Sequence, residues 1–273
     1  MDHVFDTGGK KASGRVRSAQ HAFRVKDIEA TKAAHTRKAI HAAEEHKEGT
    51  HIGDFVFGAI DGSVTTFAVV SGVAGAALSS NIVIILGLAN LLGDGISMAV
   101  GNYLSSKSER EFIQGERRRE EWEIEHYPEG EREEIREIFR RKGFRGRQLK
   151  QAVKTITSDK KIWVDTMMAE ELGLSEDPKS PAMKGIVTFA SFVAVGSIPL
   201  IPYALGLFFD TSVKPIEYPL SFGMTFVAFF IIGSVKTYVT GKHWFKSGME
   251  TLFVGALAAG AAYAVGFFLR GLA

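Results

Sequence analysis

The stretch that decides the fold is Phe55–Leu78, FVFGAIDGSVTTFAVVSGVAGAAL. It holds a single charged side chain, Asp61. About 20 residues of apolar helix cross the hydrocarbon core of a bilayer, so this one segment is long enough to span it. Its Gly, Ala and Ser residues permit close helix packing in lipid. Working outward, four more apolar runs follow, at about 82–104, 185–209, 218–239 and 247–269. Buried helices of a large soluble protein are the competing explanation. Five such runs with polar segments confined between them argue against it. The pattern predicts an all-α integral membrane protein with five transmembrane helices. No apolar core of the signal-peptide kind precedes the first run.

The rest of the composition is partitioned just as sharply. Residues 1–50 form a polar arm, 51–104 the first two spans, 105–180 a segment dense in charge, and 181–273 the last three spans. There is no cysteine, which excludes disulfides, thiolate metal sites and a cysteine nucleophile. The net charge of +2 gives no bulk basicity for nucleic acid. Lys10, Lys11, Arg15, Arg17, Arg24, Lys26, Arg37 and Lys38 load the arm, and Lys236, Lys242 and Lys246 load the connection before the last run. Ser79–Asn81 carries no cation, and the 210–219 connection carries only Lys214. By the positive-inside rule the N-terminus, the 105–180 insert and the fourth connection are cytosolic, and the C-terminus is outside.

The insert reads GERRREEWEIEHYPEGEREEIREIFRRKGF from Gly115, two helices broken at Tyr127–Pro128–Glu129–Gly130. Glu120 and Glu123 share one face of the first, and Glu131 and Glu134 one face of the second. A third helix over about 147–172 carries Met167, Met168 and Glu171. Most glutamates here read as solvated charge paired with arginine. Like charges stacked on two helix faces nevertheless cost stability and call for a compensator. A divalent cation serves. Carboxylates suit hard ions and thioether sulfur adds affinity for softer ones, so the mixture points to Fe²⁺, with Mn²⁺, Co²⁺ or Zn²⁺ as alternatives.

Polar residues also interrupt the leading spans, where a charge costs roughly 2.5–3.5 kcal/mol on insertion scales and marks function. Asp61 lies in the first span. Asn90, Asp94, Met98 and Asn102 recur every four residues in the second and form a stripe along one face. Counted from the insert end of each run, Asp61 and Met98 are expected at one level, with Asp94 a turn deeper. The bland readings are a helix cap for Asp61, an interhelical hydrogen bond for Asp94 and plain packing for Met98.

Taken together, FGAIDGSVTTFAVVSGVAGA, DGISMAVGNYLSSKSE, the paired ExxE at Glu120–Glu123 and Glu131–Glu134, DTMMAEELGL and GSIPLIPYAL resemble the vacuolar iron transporter family over about residues 50–270. The resemblance implies a homodimeric five-span metal/proton antiporter with a pore at the dimer interface lined by spans one and two. It also implies a cytosolic metal-binding domain made by the insert, in an inner or vacuole-type membrane. By that match Asp61 and Met98 are pore ligands. Glu120, Glu123, Glu131, Glu134, Met167, Met168 and Glu171 are ligands of the metal domain. The metal is cargo, and no tightly bound cofactor is implied.

Two features depart from the family. The pore glutamate it commonly carries eight residues before the methionine is Asn90 here, and Asp94 stands one turn on, as if the carboxylate had moved. The arm holds His3, His21, His35, His41 and His46, with His51 just beyond, and His41 and Glu45 would share a helical face. This reads as a solvated or disordered arm before it reads as a metal collector. Other functions remain open at this point: a Mn²⁺-selective transporter of the same fold, a membrane-anchored metal sensor without transport, and a di-iron protein using Glu123–His126 as an ExxH, which normally comes in pairs.

Overall fold

In the computed structural model the residues described are 19, 22–23, 25–37, 51–208, 216–237 and 243–272. His3, His21, His41, His46 and the proposed His41–Glu45 face lie outside them, as do Lys214 and Lys242. The chain divides into a small unit formed by the N-terminal arm with Pro178–Ser180, and a large unit holding the rest. In the small unit, α1 (Ile28–Ala34) starts where the Asp27 side chain accepts a hydrogen bond from the Ala30 amide at 3.0 Å. At its end the His35 ring contacts the Thr31 carbonyl at 2.7 Å.

Among the described residues the large unit is built of helices joined by short turns and loops, with no strand. It contains α2 (Ile52–Gly75), α3 (Ser80–His126), α4 (Pro128–Arg141), α5 (Gly146–Ile156), α6 (Lys160–Glu170), α7 (Pro181–Gly196), a 3₁₀ turn at Ile198–Leu200, α8 (Ile201–Phe208), α9 (Glu217–Val235) and α10 (Trp244–Leu269). Five helical segments are long and apolar enough to cross a membrane: α2, α3, α7 with α8, α9 and α10. Pro199 and Pro202 explain why the third span is a broken rod.

Glycine sets how closely the spans approach. A Cβ built on Gly62 would lie 2.4 Å from the Phe192 carbonyl of α7, and one on Gly266 would lie 2.0 Å from the Gly72 carbonyl of α2. Both helix pairs therefore touch backbone to backbone, with α2 at the centre between α7 and α10. Phe67 on α2 fills the interior and meets Phe222, Phe226 and Phe229 edge-on at 4.7, 5.7 and 5.9 Å. At the end away from the insert, Ser80 donates to the buried Glu217 carboxylate at 2.6 Å and ties the start of α3 to the start of α9.

The element that organises function is α3. Its 47 residues run on past the apolar stripe through SSKSEREFIQGERRREEWEIEH. Glu, Arg, Lys and Gln are strong helix formers, and nothing interrupts them before Pro128. The rod is about 70 Å long at 1.5 Å per residue. Its far half packs with α4, α5 and α6 around a second core of Ile113, Ile124, Ile135, Leu149, Val153, Trp163, Val164, Met167 and Met168.

One expectation is corrected here. The single helix over 147–172 is two helices, α5 and α6. Thr157–Ser158–Asp159 breaks it: the Asp159 side chain caps the Ile162 amide at 2.9 Å, and the Ser158 hydroxyl bonds the Thr155 carbonyl at 2.7 Å.

Candidate metal centre

Three local devices assemble the acidic cluster. Pro128 occupies the first turn of α4 and forces the preceding Tyr127 out of helical geometry, which turns α4 back along α3. Glu131 therefore falls near an N-terminus, where the helix dipole favours negative charge. Gly143, at φ +98°, closes the other end of α4: its amide bonds the Arg140 carbonyl and the Phe144 amide bonds the Phe139 carbonyl, both at 3.1 Å. Gly173, at φ +65°, stops α6 in the same way and lets the Leu174 amide reach the Met168 carbonyl at 2.8 Å. The LGL that follows the paired methionines is thus the stop signal that fixes them.

The carboxylates of Glu120, Glu123 and Glu131 offer oxygens that all lie within 4.8 Å of one another. Glu120 is 1% exposed and Glu131 5%. One oxygen of each, Oε2, is buried without a hydrogen-bond partner among the described residues. A buried carboxylate oxygen with no donor is costly, and a cation satisfies it. Glu134 and Glu171 form the exposed rim and share a hydrogen bond with each other. Met167 and Met168, both buried, lie in the core on which the cluster rests.

The charges register in the acidities. Burial, followed by the charges of Glu134, Glu120, Glu123 and Glu171, pushes the Glu131 carboxyl up to about 7. Glu171 also reaches about 7, first from desolvation and then from the charges of Glu134 and Glu120. Burial raises Glu120 despite the adjacent Arg119 guanidinium. These groups suit a divalent ion that displaces protons as it binds.

Sequence spacing did not reveal the arginines that hold the set. Arg119 reaches Glu120 at 2.8 Å, Glu123 at 2.6 Å and Glu116 at 3.0 Å. Its i,i+4 spacing to Glu123 was the available signal. Arg117 pairs with Asp165 and so binds α6 to α3. The ExxH reading loses its histidine: the His126 ring stacks on Trp122 at 4.3 Å and contacts the Trp122 carbonyl at 2.8 Å. No histidine belongs to the acidic cluster among the described residues.

Inside the membrane body two hydrogen bonds fix the register of α2 against α3. Asn90 donates to Thr65 at 3.3 Å, and Asn102 donates to Asp54 at 3.2 Å and to Thr188 at 2.8 Å. In this antiparallel pair residue 61 faces residues 94–95, and residue 98 faces 57–58. The expected levels are therefore corrected: Asp61 lies level with Asp94, within electrostatic reach of it, and Met98 lies one turn nearer the insert, packed against the core. The depth count failed because α2 starts at Ile52, earlier than its apolar run implies.

Asp94 is exposed on the single chain, as are Ala89, Gly93, Ser97 and Gly101 at successive turns beside it. A Cβ placed on Gly93 or Gly101 meets nothing within 4 Å.

The sequence profile described as the VIT family matches residues 52–267. A vacuolar iron transporter of Toxoplasma gondii is 36% identical over 267 residues, covering 92% of this chain and 87% of the relative. Vacuolar iron transporter 1 of Oryza sativa subsp. japonica is 35% identical, covering 83% and 90%. Vacuolar iron transporter 1 of Arabidopsis thaliana is 35% identical, covering 82% and 88%.

Proposed function

Because the chain belongs to the VIT family, we propose that this multi-pass membrane protein transports a divalent transition metal, Fe²⁺ foremost, out of the cytosol in exchange for protons. The observation that carries this is the continuity of α3. One rod holds Asn90, Asp94 and Met98 in the membrane body and Glu120 and Glu123 in the acidic cluster. The names of the relatives support iron as cargo and a vacuole-type membrane as location. Mn²⁺ is the alternative cargo for the same donor set.

In this reading Glu120, Glu123, Glu131, Glu134 and Glu171 collect the ion on the cytosolic side. Met167 and Met168 bias the site toward softer transition metals. Met98 then receives the ion at the cytosolic mouth, and Asp61 and Asp94 bind it together one turn deeper. Metal binding at this pair of carboxylates is the step at which a proton is exchanged. Asn90 cannot carry that proton, and Asp94 replaces it. The hydrogen bond that Asn90 donates to Thr65 holds the two helices in register instead.

The exposure of Asp94 on the single chain supports a second copy of the chain. A carboxylate turned toward hydrocarbon costs roughly 2.5–3.5 kcal/mol. The stripe Ala89–Gly93–Ser97–Gly101 is the kind of surface on which two helices approach closely in lipid. A homodimer joined there covers Asp94 and places its two copies beside a shared path. The positive-inside rule puts the N-terminal arm and the insert in the cytosol.

The test is Asp61→Asn and Asp94→Asn in purified, reconstituted protein. Asp61→Asn stops metal flux and Asp94→Asn stops it or separates it from proton flux, while the protein stays folded in both. Asn90→Glu combined with Asp94→Ala restores coupled flux. Wild-type flux and coupling in Asp94→Asn would reduce Asp94 to a packing residue.

A further inference from the structure

The acidic cluster already holds a cation, and it belongs to the chain. The Arg119 guanidinium spans two of the three clustered carboxylates, 2.8 Å from Glu120 Oε1 and 2.6 Å from Glu123 Oε2. Its Nε donates to Glu116 Oε2 at 3.0 Å, one turn back along α3 and outside the cluster. Among the described residues no other Lys, Arg or His side chain pairs with Glu120, Glu123 or Glu131. A metal bound to those oxygens would sit against a guanidinium at contact distance, and the two positive charges repel. Arg119 has somewhere to go. Its head is half exposed, and the Nε bond to Glu116 can persist while the terminal nitrogens let go of Glu120 and Glu123.

We propose that Arg119 is a built-in competitor of the metal, a latch that closes on Glu120 and Glu123 when the ion leaves and parks on Glu116 when it binds. The proposal rests on the metal-domain reading above and adds to it the element that sets affinity. A collecting site in a transporter must also release, and three clustered carboxylates would hold a transition ion tightly. A latch on the same oxygens lowers that affinity. It also keeps the carboxylates from repelling one another between ions, so each release is followed by an ion pair rather than bare charge.

The test is a double-mutant cycle on the full-length chain in detergent, with Co²⁺ and Mn²⁺ as probes and calorimetry as the readout. Arg119→Gln tightens binding by about ten-fold, the scale of one partly exposed charge interaction. Its metal-free thermal midpoint falls, and Arg119→Lys is intermediate on both measures. Glu116→Gln weakens binding when Arg119 is present, because the displaced guanidinium has lost its receiver. In the Arg119→Gln background the same change has little effect. Unchanged or weaker binding in Arg119→Gln overturns the latch. Equal effects of Glu116→Gln in both backgrounds also overturn it, since that is simple long-range electrostatics. Absence of binding by the wild-type protein refutes the metal-domain reading itself, which is a different result.

Discussion

Metal binding at the acidic cluster should depend steeply on pH across neutrality. Ordinary glutamates titrate near 4.5 and would leave binding flat between pH 6 and 8. Glu131 and Glu171 instead stand at about 7, driven first by desolvation and then by neighbouring carboxylates. A carboxyl with that value is about 90% ionised at pH 8 and about 10% at pH 6, so each one costs about ten-fold in apparent affinity over that interval. If the ion needs both, the loss approaches about a hundred-fold. The proton release accompanying binding should rise as pH falls, from about 0.1 proton per carboxyl at pH 8 to about 0.9 at pH 6. The fold responds with the opposite sign. A carboxyl whose folded value is raised adds stability that is fully present below about 4.5 and is lost as pH rises through about 7. For Glu131 this is at most about 3 kcal/mol. The metal-free protein therefore softens from pH 5 to pH 7.5, and saturating metal restores it. The assay is Co²⁺ titration calorimetry at pH 6, 7 and 8 in two buffers of different protonation enthalpy, with thermal melts alongside. An affinity constant over that range would refute the assignment of these two glutamates as protonated competitors of the ion.

Replacing both Met167 and Met168 by Leu keeps the buried volume, so the thermal midpoint moves little, while the preference for Fe²⁺ or Co²⁺ over Mn²⁺ falls in competition titrations. Gly62→Ala pushes a methyl into the Phe192 carbonyl and separates α2 from α7; the expected loss is about 1–3 kcal/mol or more, seen as a lowered midpoint in detergent. Reporter fusions after Lys242 and after Ala273 should read opposite sides of the membrane, and the same side for both ends the five-span orientation.

The five spans were readable because apolar length alone decides them. The boundaries were not, and the reason is visible in α3. The apolar pattern stops near Leu104, but helix propensity does not, so one rod carries both the membrane residues and the first half of the acidic cluster. The break at Thr157–Ser158–Asp159 was hidden because one capping aspartate divides an otherwise continuous pattern. At the site, the ExxE spacings singled out Glu120, Glu123 and Glu131, and the fold gathers their carboxylates. They said nothing of Arg119, whose contacts depend on which way a long side chain turns. The level of Asp61 was misjudged because depth was counted from an apolar edge. The hydrogen bonds of Asn90 and Asn102 set it instead.

The most direct test of the central claim is metal entry and internal pH in the same sealed proteoliposomes, with purified full-length protein and Fe²⁺ or Mn²⁺ supplied outside under reducing conditions. The account predicts that metal enters faster than in protein-free vesicles, that the interior becomes more alkaline as protons leave, and that both changes vanish in Asp61→Asn. Metal entry without a pH change would remove proton exchange from the account. No entry above the protein-free rate, from protein that binds metal and remains folded, would contradict transport itself.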